Sequence, residues 1–327
     1  MHQTSRIPSN WLNKIESFMK ILLTSTSFQD TPGNHHNLLN SQGFEITNLR
    51  GPLKEKVLLP IISDFDGIIC GDDEITEAVI KAGVEGKLKI ISKYGIGLDK
   101  VDLNAAKKFN IPVTNCPGVN QVTVAEHVFS LLLSFVKNII PETQIVREQR
   151  WERLIGNDIY GKTLGIMGLG NVGKEVAIRA KAFGMRVLAF DKFINTEFTT
   201  KHGIEVWRSQ LDIFRESDVI SLNLSLDEGT RHLINMSNLG LLRRGVIIIN
   251  TARAGLVEQD AIIEGIRSGL IKGYLTDVLE EEPMVKDHPF LKYENILITP
   301  HIGSRTYENV ERQGTMAVEN LINNLKL

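Results

Sequence analysis

Residues 161–191, GKTLGIMGLGNVGKEVAIRAKAFGMRVLAFD, decide the fold of this chain. An apolar run leads directly into the glycine pattern GLGNVG, a helix-like segment follows, and a second apolar run ends on an aspartate. The pattern GxGxxG between a strand and a helix is typical of a dinucleotide-binding βαβ unit. We therefore predict a Rossmann domain around this segment.

Each position of the pattern has a physical role in binding a dinucleotide. Gly168 permits the tight turn, Gly170 lets the backbone approach a pyrophosphate, and Gly173 allows close packing of the helix. The helix N-terminus supplies N–H donors and a positive dipole for the phosphates. Asp191 would accept hydrogen bonds from the adenine ribose hydroxyls and repel the extra phosphate of NADP. We predict NAD as the cofactor, despite the adjacent Lys192.

Short apolar runs alternate with helix-like segments on both sides of this pattern, which indicates parallel βαβ units. The first series is ILLTS, FEITNL, GIIC, LKIIS and PVTNC; the second is TLGIMG, RVLAFD, VISLNL, VIIINTA, GYLTDV and ILITP. The predicted fold class is α/β, with two doubly wound parallel-sheet domains. Between the two series, QVTVAEHVFSLLLSFVKNII is too apolar for one helical stripe, so we expect a helix buried on more than one side, between domains or subunits. A hinge is expected near Pro117–Gly118.

Composition excludes several classes of protein. The 327 residues carry a net charge of −2 and are 42% hydrophobic and 23% charged, as in a soluble globular protein without a basic field for nucleic acid. Cys70 and Cys116 lie far apart without metal-ligand spacing, so we expect reduced thiols and no metal. The N-terminus lacks the apolar core of a signal peptide, and the apolar runs are too short to span a bilayer. We predict a cytoplasmic protein without a membrane partner.

Three functional side chains follow strands of the second series. In open parallel sheets, ligands bind at the carboxyl ends of strands, where Arg253, the acids after Asp277, and His301 lie. Arg253 could bind a substrate carboxylate and polarise its carbonyl, and His301 could exchange a proton with the carbonyl oxygen. A nearby carboxylate would favour the imidazolium form and orient the ring. The alternative is that His301 is a structural histidine at the end of a buried strand. Periodicity leaves the acid partner open among Glu280, Glu281 and Glu282.

The order GLGNVG, NTARAG (250–255), LTDVLEEEP (275–283) and TPHIGS (299–304) closely resembles the D-isomer-specific 2-hydroxyacid dehydrogenase family, particularly its phosphoglycerate dehydrogenase branch. The resemblance covers the chain from about residue 20 onward. It implies that Arg253 is the substrate arginine, Glu282 the acid partner and His301 the general acid/base. It also implies a homodimer, which agrees with the apolar VAEHVFSLLLSF segment.

The resemblance further implies how the cofactor is held. Asp277 would contact the nicotinamide amide, and residues 301–304 would close over the ring. The implied NAD-binding positions are Gly168, Gly170, Asn171, Val172, Gly173, Asp191, Thr251, Ala252, Arg253, Asp277, His301 and Gly303. For Thr251 and Asp277, hydrogen bonding at a strand end is the alternative interpretation.

The segment KYGIGLD, residues 93–99, resembles the family's carboxylate-binding loop. Lys93 and the backbone of Gly95, Ile96 and Gly97 would bind the substrate there; an ordinary glycine turn is the alternative. Phosphoglycerate dehydrogenases carry an arginine after the strand corresponding to GIIC, whereas this chain has the acidic turn CGDDE, residues 70–74, which would repel a phosphate. Lys93 could still act as a cation, so a phosphorylated substrate stays open.

The prediction is a cytoplasmic, NAD-dependent oxidoreductase that interconverts a 2-oxo acid and a D-2-hydroxy acid. A Rossmann NAD-binding domain, residues 119–302, would be inserted into a flavodoxin-like substrate domain formed by residues 1–118 and 303–327. Because the chain ends at residue 327, we expect no domain for serine feedback. One alternative is an NAD-sensing module like the family's corepressor relatives. The other is a formate or phosphite dehydrogenase; Glu282 fits a 2-hydroxyacid enzyme better than it fits formate oxidation.

Overall fold

The structure is a computed structural model that describes residues 18–325. The chain divides into two compact units, of which the second is inserted into the sequence of the first. The first unit comprises the described parts of Met1–Cys116 and Gly314–Leu327, and the second comprises Pro117–Gln313. The functional boundaries proposed at residues 118 and 302 stay a prediction.

The first unit contains a five-stranded parallel sheet in the order β2-β1-β3-β4-β5, which is the flavodoxin-like order. Its strands are β1 (Lys20–Leu23), β2 (Glu45–Asn48), β3 (Gly67–Cys70), β4 (Ile90–Lys93) and β5 (Val113–Thr114). Its helices are α1 (Thr26–Asp30), α2 (Asn34–Asn40), α3 (Glu55–Leu58), α4 (Glu77–Glu85) and α5 (Leu103–Lys108).

Both faces of this sheet are covered. Apolar side chains of β3, α4 and α5 form one core cluster, which includes Ile68, Val79 and Ala105. The last helix of the chain, α12 (Tyr307–Leu325), also contributes its C-terminal part to this unit. The Ser92 hydroxyl on β4 donates to the Ala317 carbonyl of that helix at 2.8 Å. Central strands are therefore buried on both faces, which is why they read as continuous apolar runs.

The second unit contains a seven-stranded parallel sheet in the order β12-β11-β10-β9-β6-β7-β8. Its strands are β6 (Thr163–Met167), β7 (Arg186–Phe190), β8 (Glu205–Val206), β9 (Val219–Leu222), β10 (Val246–Asn250), β11 (Ile271–Thr276) and β12 (Ile296–Ile298). Its helices are α6 (Gln121–Val136), α7 (Ile139–Arg147), α8 (Asn171–Ala182), α9 (Thr196–His202), α10 (Gln210–Glu216) and α11 (Gln259–Arg267). The strand order reverses between β6 and β9, as in Rossmann folds.

The apolar α6 is buried within its own unit. Val128, Phe129 and Leu132 of α6 belong to the core cluster on one face of the seven-stranded sheet. This packing, against α8 in particular, accounts for the density of apolar residues that the sequence shows. A second cluster, with Ile213 of α10 and Ile262 of α11, contributes the other core of this sheet.

The predicted α/β class with two doubly wound parallel sheets is confirmed. Every apolar run in the two series contains a strand of one of the sheets. Strand β8 was not predicted, because Glu205 and Val206 form a two-residue, exposed strand at the edge of the sheet. An edge strand this short has no apolar periodicity to detect.

Three properties of the described residues bear on the excluded classes. In residues 18–325, no single helix is long and apolar enough to cross a membrane, although α6 and α7 pass that test together as a pair bent by 59°. Over the same residues, no three His, Cys, Asp or Glu side chains form a group able to hold a metal ion. Cys70 and Cys116 are buried and not joined in a disulfide, and burial raises the pKa of the Cys70 thiol to about 12.

Candidate active site

Three neighbouring strands of the second unit end at the same edge of the sheet. Asn250 of β10 lies opposite Thr276 of β11, and Thr276 lies opposite Ile298 of β12. The segments that leave these strands carry Arg253, Asp277 and His301. Parallel pairing therefore brings residues that are 24 to 48 positions apart in sequence to one edge, where open α/β sheets bind ligands.

His301 and Glu282 form a direct contact. The Nδ1 atom of His301 lies 2.7 Å from Oε2 of Glu282, and both side chains are about one-third exposed. An ionised carboxylate only accepts hydrogen bonds, so Nδ1 carries a proton and Nε2 is the nitrogen that can exchange one with a substrate. The other carboxylate oxygen, Oε1, accepts from the Leu279 amide at 2.9 Å, which fixes the orientation of the glutamate.

The other two acids of the same run have a different environment. Glu280 and Glu281 are exposed, whereas Glu282 is partly buried. The structure thus brings Glu282 to His301, which is the pairing that the family resemblance implied and that periodicity could not choose.

Arg253 follows β10 in a turn that a buried asparagine shapes. Oδ1 of Asn250 accepts from the Ala252 amide at 3.2 Å, and Nδ2 donates to the Arg253 carbonyl at 2.9 Å. Nδ2 also lies 3.2 Å from the hydroxyl of Tyr274, whose pKa is raised by burial against the opposing effect of its hydrogen bonds. Asn250 was missed as a site residue; its signal was a polar side chain ending the buried run VIIIN.

Asp277, directly after β11, is bonded to the segment that carries His301. Its side chain is 2% exposed. Oδ1 accepts from the Thr299 hydroxyl at 2.6 Å and from the Ile302 amide at 2.9 Å, and Oδ2 accepts from the Gly303 amide at 2.7 Å. Burial acts to raise the pKa of Asp277, but these donors and His127 outweigh burial and lower it. The predicted contact with the nicotinamide amide stays a prediction.

The glycine loop has the geometry that a dinucleotide requires. Gly168 has φ of +94°, a conformation that glycine adopts without strain. A Cβ on Gly173 would lie 2.0 Å from the Gly168 carbonyl oxygen, so only glycine fits where the helix packs on the loop. Nothing lies within 4 Å of a Cβ built on Gly170, which leaves open space in front of the α8 N-terminus.

Other predicted cofactor positions flank this loop. Asn171 and Val172 form the first turn of α8, where Asn171 is exposed. The Asp191 carboxylate, after β7, accepts from the Leu169 amide at 2.6 Å and from the Phe193 amide at 2.8 Å. A carboxylate has about four acceptor sites, so two remain for ribose hydroxyls. The residues present therefore fit NAD.

The predicted substrate loop lies in the first unit, after β4. Gly95 has φ of +134°, and its carbonyl accepts from the Cys116 amide at 2.8 Å. The Ile96 carbonyl accepts from the Asn115 side chain at 2.8 Å, and Gly97 is partly buried. A Cβ on Gly95 would lie 3.5 Å from Nζ of Lys93, so the Lys93 ammonium is beside this loop.

The three acids of the turn after β3 all accept hydrogen bonds from other residues of the first unit. Asp72 accepts from Nζ of Lys93 at 2.7 Å, and Lys93, which is 3% exposed, also donates to the Gly71 carbonyl at 2.7 Å. Asp73 is fully buried and accepts from the Thr24 hydroxyl, the Leu53 amide and the Gly71 amide at 2.5–2.9 Å. Glu74 accepts from Nζ of Lys54 at 2.9 Å, and this hydrogen bond is the main cause that lowers its pKa.

Known proteins resemble this chain in sequence. A family model described as the NAD-binding domain of D-isomer specific 2-hydroxyacid dehydrogenases matches residues 129–303. A glyoxylate reductase of Korarchaeum cryptofilum is 37% identical, over 83% of each chain. A hydroxypyruvate reductase of Thermotoga maritima is 38% identical, over 88% of this chain and 93% of that one. A D-3-phosphoglycerate dehydrogenase of Methanocaldococcus jannaschii is 35% identical over 93% of this chain, but over only 57% of its own length.

The fold also matches a solved structure with a bound cofactor. D-lactate dehydrogenase from Aquifex aeolicus, crystallised with NAD and lactic acid, superposes with a TM-score of 0.81 at 28% identity. The match covers 94% of this chain and 95% of that chain.

Proposed function

The chain belongs to the D-isomer-specific 2-hydroxyacid dehydrogenase family, and from this premise we propose that it reduces a small, unphosphorylated 2-oxo acid to the D-2-hydroxy acid. It is an NAD-dependent dehydrogenase, which confirms the predicted reaction class and cofactor. The relatives are named reductases and dehydrogenases, which favours catalysis over a module that only senses NAD.

The contact between His301 and Glu282 is the observation that carries the proposed chemistry. NAD supplies the two-electron hydride exchange when it is bound. The Nε2–H of protonated His301 gives its proton to the substrate carbonyl oxygen in reduction, and neutral Nε2 takes it back in oxidation. Glu282 holds the ring through Nδ1 and stabilises the imidazolium form. Arg253 binds the substrate carboxylate with its planar guanidinium group.

The charges of the first unit support an unphosphorylated substrate. Lys93 is the cation beside the predicted carboxylate-binding loop, and the Asp72 carboxylate compensates its charge at 2.7 Å. Two further cations near the carboxyl edge of this sheet are also paired, Lys54 with Glu74 and Arg50 with Asp30. A phosphate would add close to two negative charges beside Asp72, and that carboxylate already compensates Lys93.

A substrate screen tests the proposal. NADH absorbance is followed with glyoxylate, pyruvate, hydroxypyruvate and 3-phosphohydroxypyruvate. We expect kcat/KM for at least one unphosphorylated acid to exceed that for the phosphorylated acid by about 100-fold. Preference for 3-phosphohydroxypyruvate would reject the substrate class, and no turnover with any 2-oxo acid would reject the function.

The variant Asp72→Asn tests the charge argument directly. Removing one negative charge beside Lys93 should raise the relative kcat/KM for 3-phosphohydroxypyruvate about tenfold, since a unit charge several ångströms away is worth one to two kcal/mol. The matched control is Asp30→Asn, which breaks the ion pair with Arg50 in the same unit. An equal change in both variants would mean that selectivity does not depend on the Lys93 environment.

We also propose that the protein is a homodimer. The proposed interface is a different segment from the apolar α6 on which the sequence-based prediction of a dimer rested. Because α6 is packed inside its own unit, its apolar sequence no longer requires a partner. Large apolar side chains are exposed instead on residues 139–160, including Trp151 at 78%, Ile155 at 94% and Tyr160 at 79%. Exposed apolar residues concentrated on one segment are typical of an interface. Light scattering should give a dimer, and Ile155→Asp should shift it toward monomer; a monomeric wild-type protein at micromolar concentration would contradict this.

A cytoplasmic location is retained as a proposal. It rests on Cys70 and Cys116, which are buried and not joined in a disulfide, as suits a reducing compartment.

A further inference from the structure

We propose that His127 and Thr299, acting through Asp277, are positioning residues that hold His301 in place for proton transfer. The inference rests on the proposed role of His301 as the acid/base. All four residues lie in the second unit, and the contacts form one continuous hydrogen-bonded chain from α6 to the segment that carries His301.

The first residue of this hydrogen-bonded series is a histidine that was not predicted from the sequence. Nε2 of His127, on α6, lies 3.0 Å from the Thr299 hydroxyl oxygen, and the His127 side chain is only 15% exposed. The same hydroxyl lies 2.6 Å from Oδ1 of Asp277, and Nε2 of His127 is itself 3.4 Å from that oxygen. A carboxylate accepts only, so the Thr299 proton points to Asp277, and the hydroxyl oxygen must accept from His127. His127 is therefore the donor, with its proton on Nε2.

Asp277 connects His127 and Thr299 with the backbone next to His301 through hydrogen bonds. Its two oxygens accept from the amides of Ile302 and Gly303, the next two residues after His301. His301 has φ of +53°, a left-handed conformation that costs a non-glycine residue about 1 kcal/mol or more and persists only where surrounding contacts hold it. The Asp277 contacts fix the backbone directly after this strained residue, so they determine where the imidazole points.

Gly303 shows how closely the aspartate and the backbone approach. A Cβ at this position would lie 2.9 Å from Oδ2 of Asp277 and 3.4 Å from Cδ2 of His127. The carboxylate, the imidazole of His127 and the backbone of the His301 segment are thus packed directly against one another. A misplacement of the proton donor by about 1 Å can cost up to 100-fold in rate, so this packing has a catalytic consequence.

The matched variants Thr299→Val and Thr299→Ser test the inference. Valine keeps the shape and removes the hydroxyl, whereas serine keeps the hydroxyl. We expect reductive kcat to fall about tenfold in Thr299→Val, with KM for NADH within twofold and the thermal midpoint within a few degrees. Thr299→Ser should retain kcat within about threefold. An unchanged kcat in Thr299→Val, or equal losses in both variants, would overturn the proposal, as would a loss confined to KM for NADH.

A second pair of variants, at the His127 end of the hydrogen-bonded series, keeps the proposal testable if Thr299→Val does not fold. His127→Leu removes the donor, and His127→Gln replaces Nε2 with an amide donor. The leucine variant should lose about tenfold in kcat and the glutamine variant much less. In the double variant with Thr299→Val, the loss should be smaller than the product of the two single losses, because both residues act on the same carboxylate oxygen of Asp277. Additive losses would mean that the two residues act separately.

Hydrogen exchange separates this inference from the proposed function, because it needs no substrate. The Ile302 and Gly303 amides should lose at least fivefold protection in Thr299→Val and keep it in Thr299→Ser. Unchanged protection in Thr299→Val would overturn the positioning role even if the enzyme were active. Loss of protection in a protein that reduces no 2-oxo acid would support the hydrogen-bonded chain and reject the proposed reaction.

Discussion

Two acidic runs, Asp72–Glu74 in the first unit and Glu280–Glu282 in the second, have the same charge but different environments. In the first run, Asp72 and Glu74 pair with lysines, and Asp73 is buried among three donors. In the second run, two glutamates are exposed, and Glu282 contacts a titratable ring. The difference shows that acids in runs of equal charge can have quite different partners, and we expect the partner of each carboxylate to determine whether it supports folding or chemistry.

The largest expected effect comes from removing the ring that Glu282 contacts. His301→Ala should lower turnover in both directions by roughly 10²–10⁴, the usual size of a lost general acid/base. Affinity for NADH, measured by fluorescence titration, should change little. Turnover within tenfold of wild type would mean that Glu282 contacts a structural histidine, and the two acidic runs would then differ less than we propose.

The buried member of the first run should matter for stability instead. In Asp73→Asn, an amide nitrogen replaces the carboxylate oxygen that accepts from the Thr24 hydroxyl and the Gly71 amide. Both donors would then face an NH₂ group, which is itself a donor. We expect the free energy of unfolding to fall by about 3 kcal/mol, the cost of leaving buried polar groups unpaired. Urea unfolding measures this loss, and a variant as stable as wild type would show that Asp73 is not a structural carboxylate.

The pH dependence of turnover tests Glu282 more finely. In the proposed mechanism the reductive reaction requires protonated His301, and the Glu282 charge 2.7 Å away would stabilise that form. In Glu282→Gln the His301 ring should lose its proton at a lower pH. Above the midpoint of the wild-type profile of reductive turnover against pH, the variant should therefore be about tenfold slower in reduction. Its oxidative turnover should begin to rise at a lower pH than that of wild type. Superimposable pH profiles of the two enzymes would show that Glu282 is not coupled to the proton donor.

The exposed member of the second run provides the smallest expected effect. Glu281→Gln removes a solvated charge, so kcat should stay within twofold and the free energy of unfolding within about 0.5 kcal/mol of wild type. The same assays apply as for Glu282→Gln and Asp73→Asn. A shift of the pH profile as large as that of Glu282→Gln would show that Glu282 is not the specific acid partner of His301.

Much of the fold could be predicted because its signals are local. The strands are buried on both faces, so runs such as VIIIN and TLGIM are recognisable from hydrophobicity alone. The turn at Gly168 and the contact at Gly173 require glycine for steric reasons, and this requirement appears directly as a spacing in the sequence. Strand β8 was missed because two exposed edge residues carry no such signal.

The candidate site was only partly predictable. Arg253 and His301 could be selected because both follow apolar strands, and parallel sheets collect their ligands at that edge. Asn250 and His127 could not, because only contacts that no spacing rule describes connect them with the candidate site. His127 lies 172 residues before Thr299 in the sequence, yet the two side chains share a hydrogen bond.

The sequence by itself determined the α/β class, the dinucleotide-binding loop and the family, because burial periodicity and glycine sterics are properties of neighbouring residues. Only the tertiary structure decided what each acid does: Asp72 compensates Lys93, Asp73 closes a buried turn, and Asp277 binds the segment that carries His301. The physical reason is that a carboxylate's effect depends on burial and on the donors within about 3 Å. Folding brings those donors together from residues that are far apart in the chain.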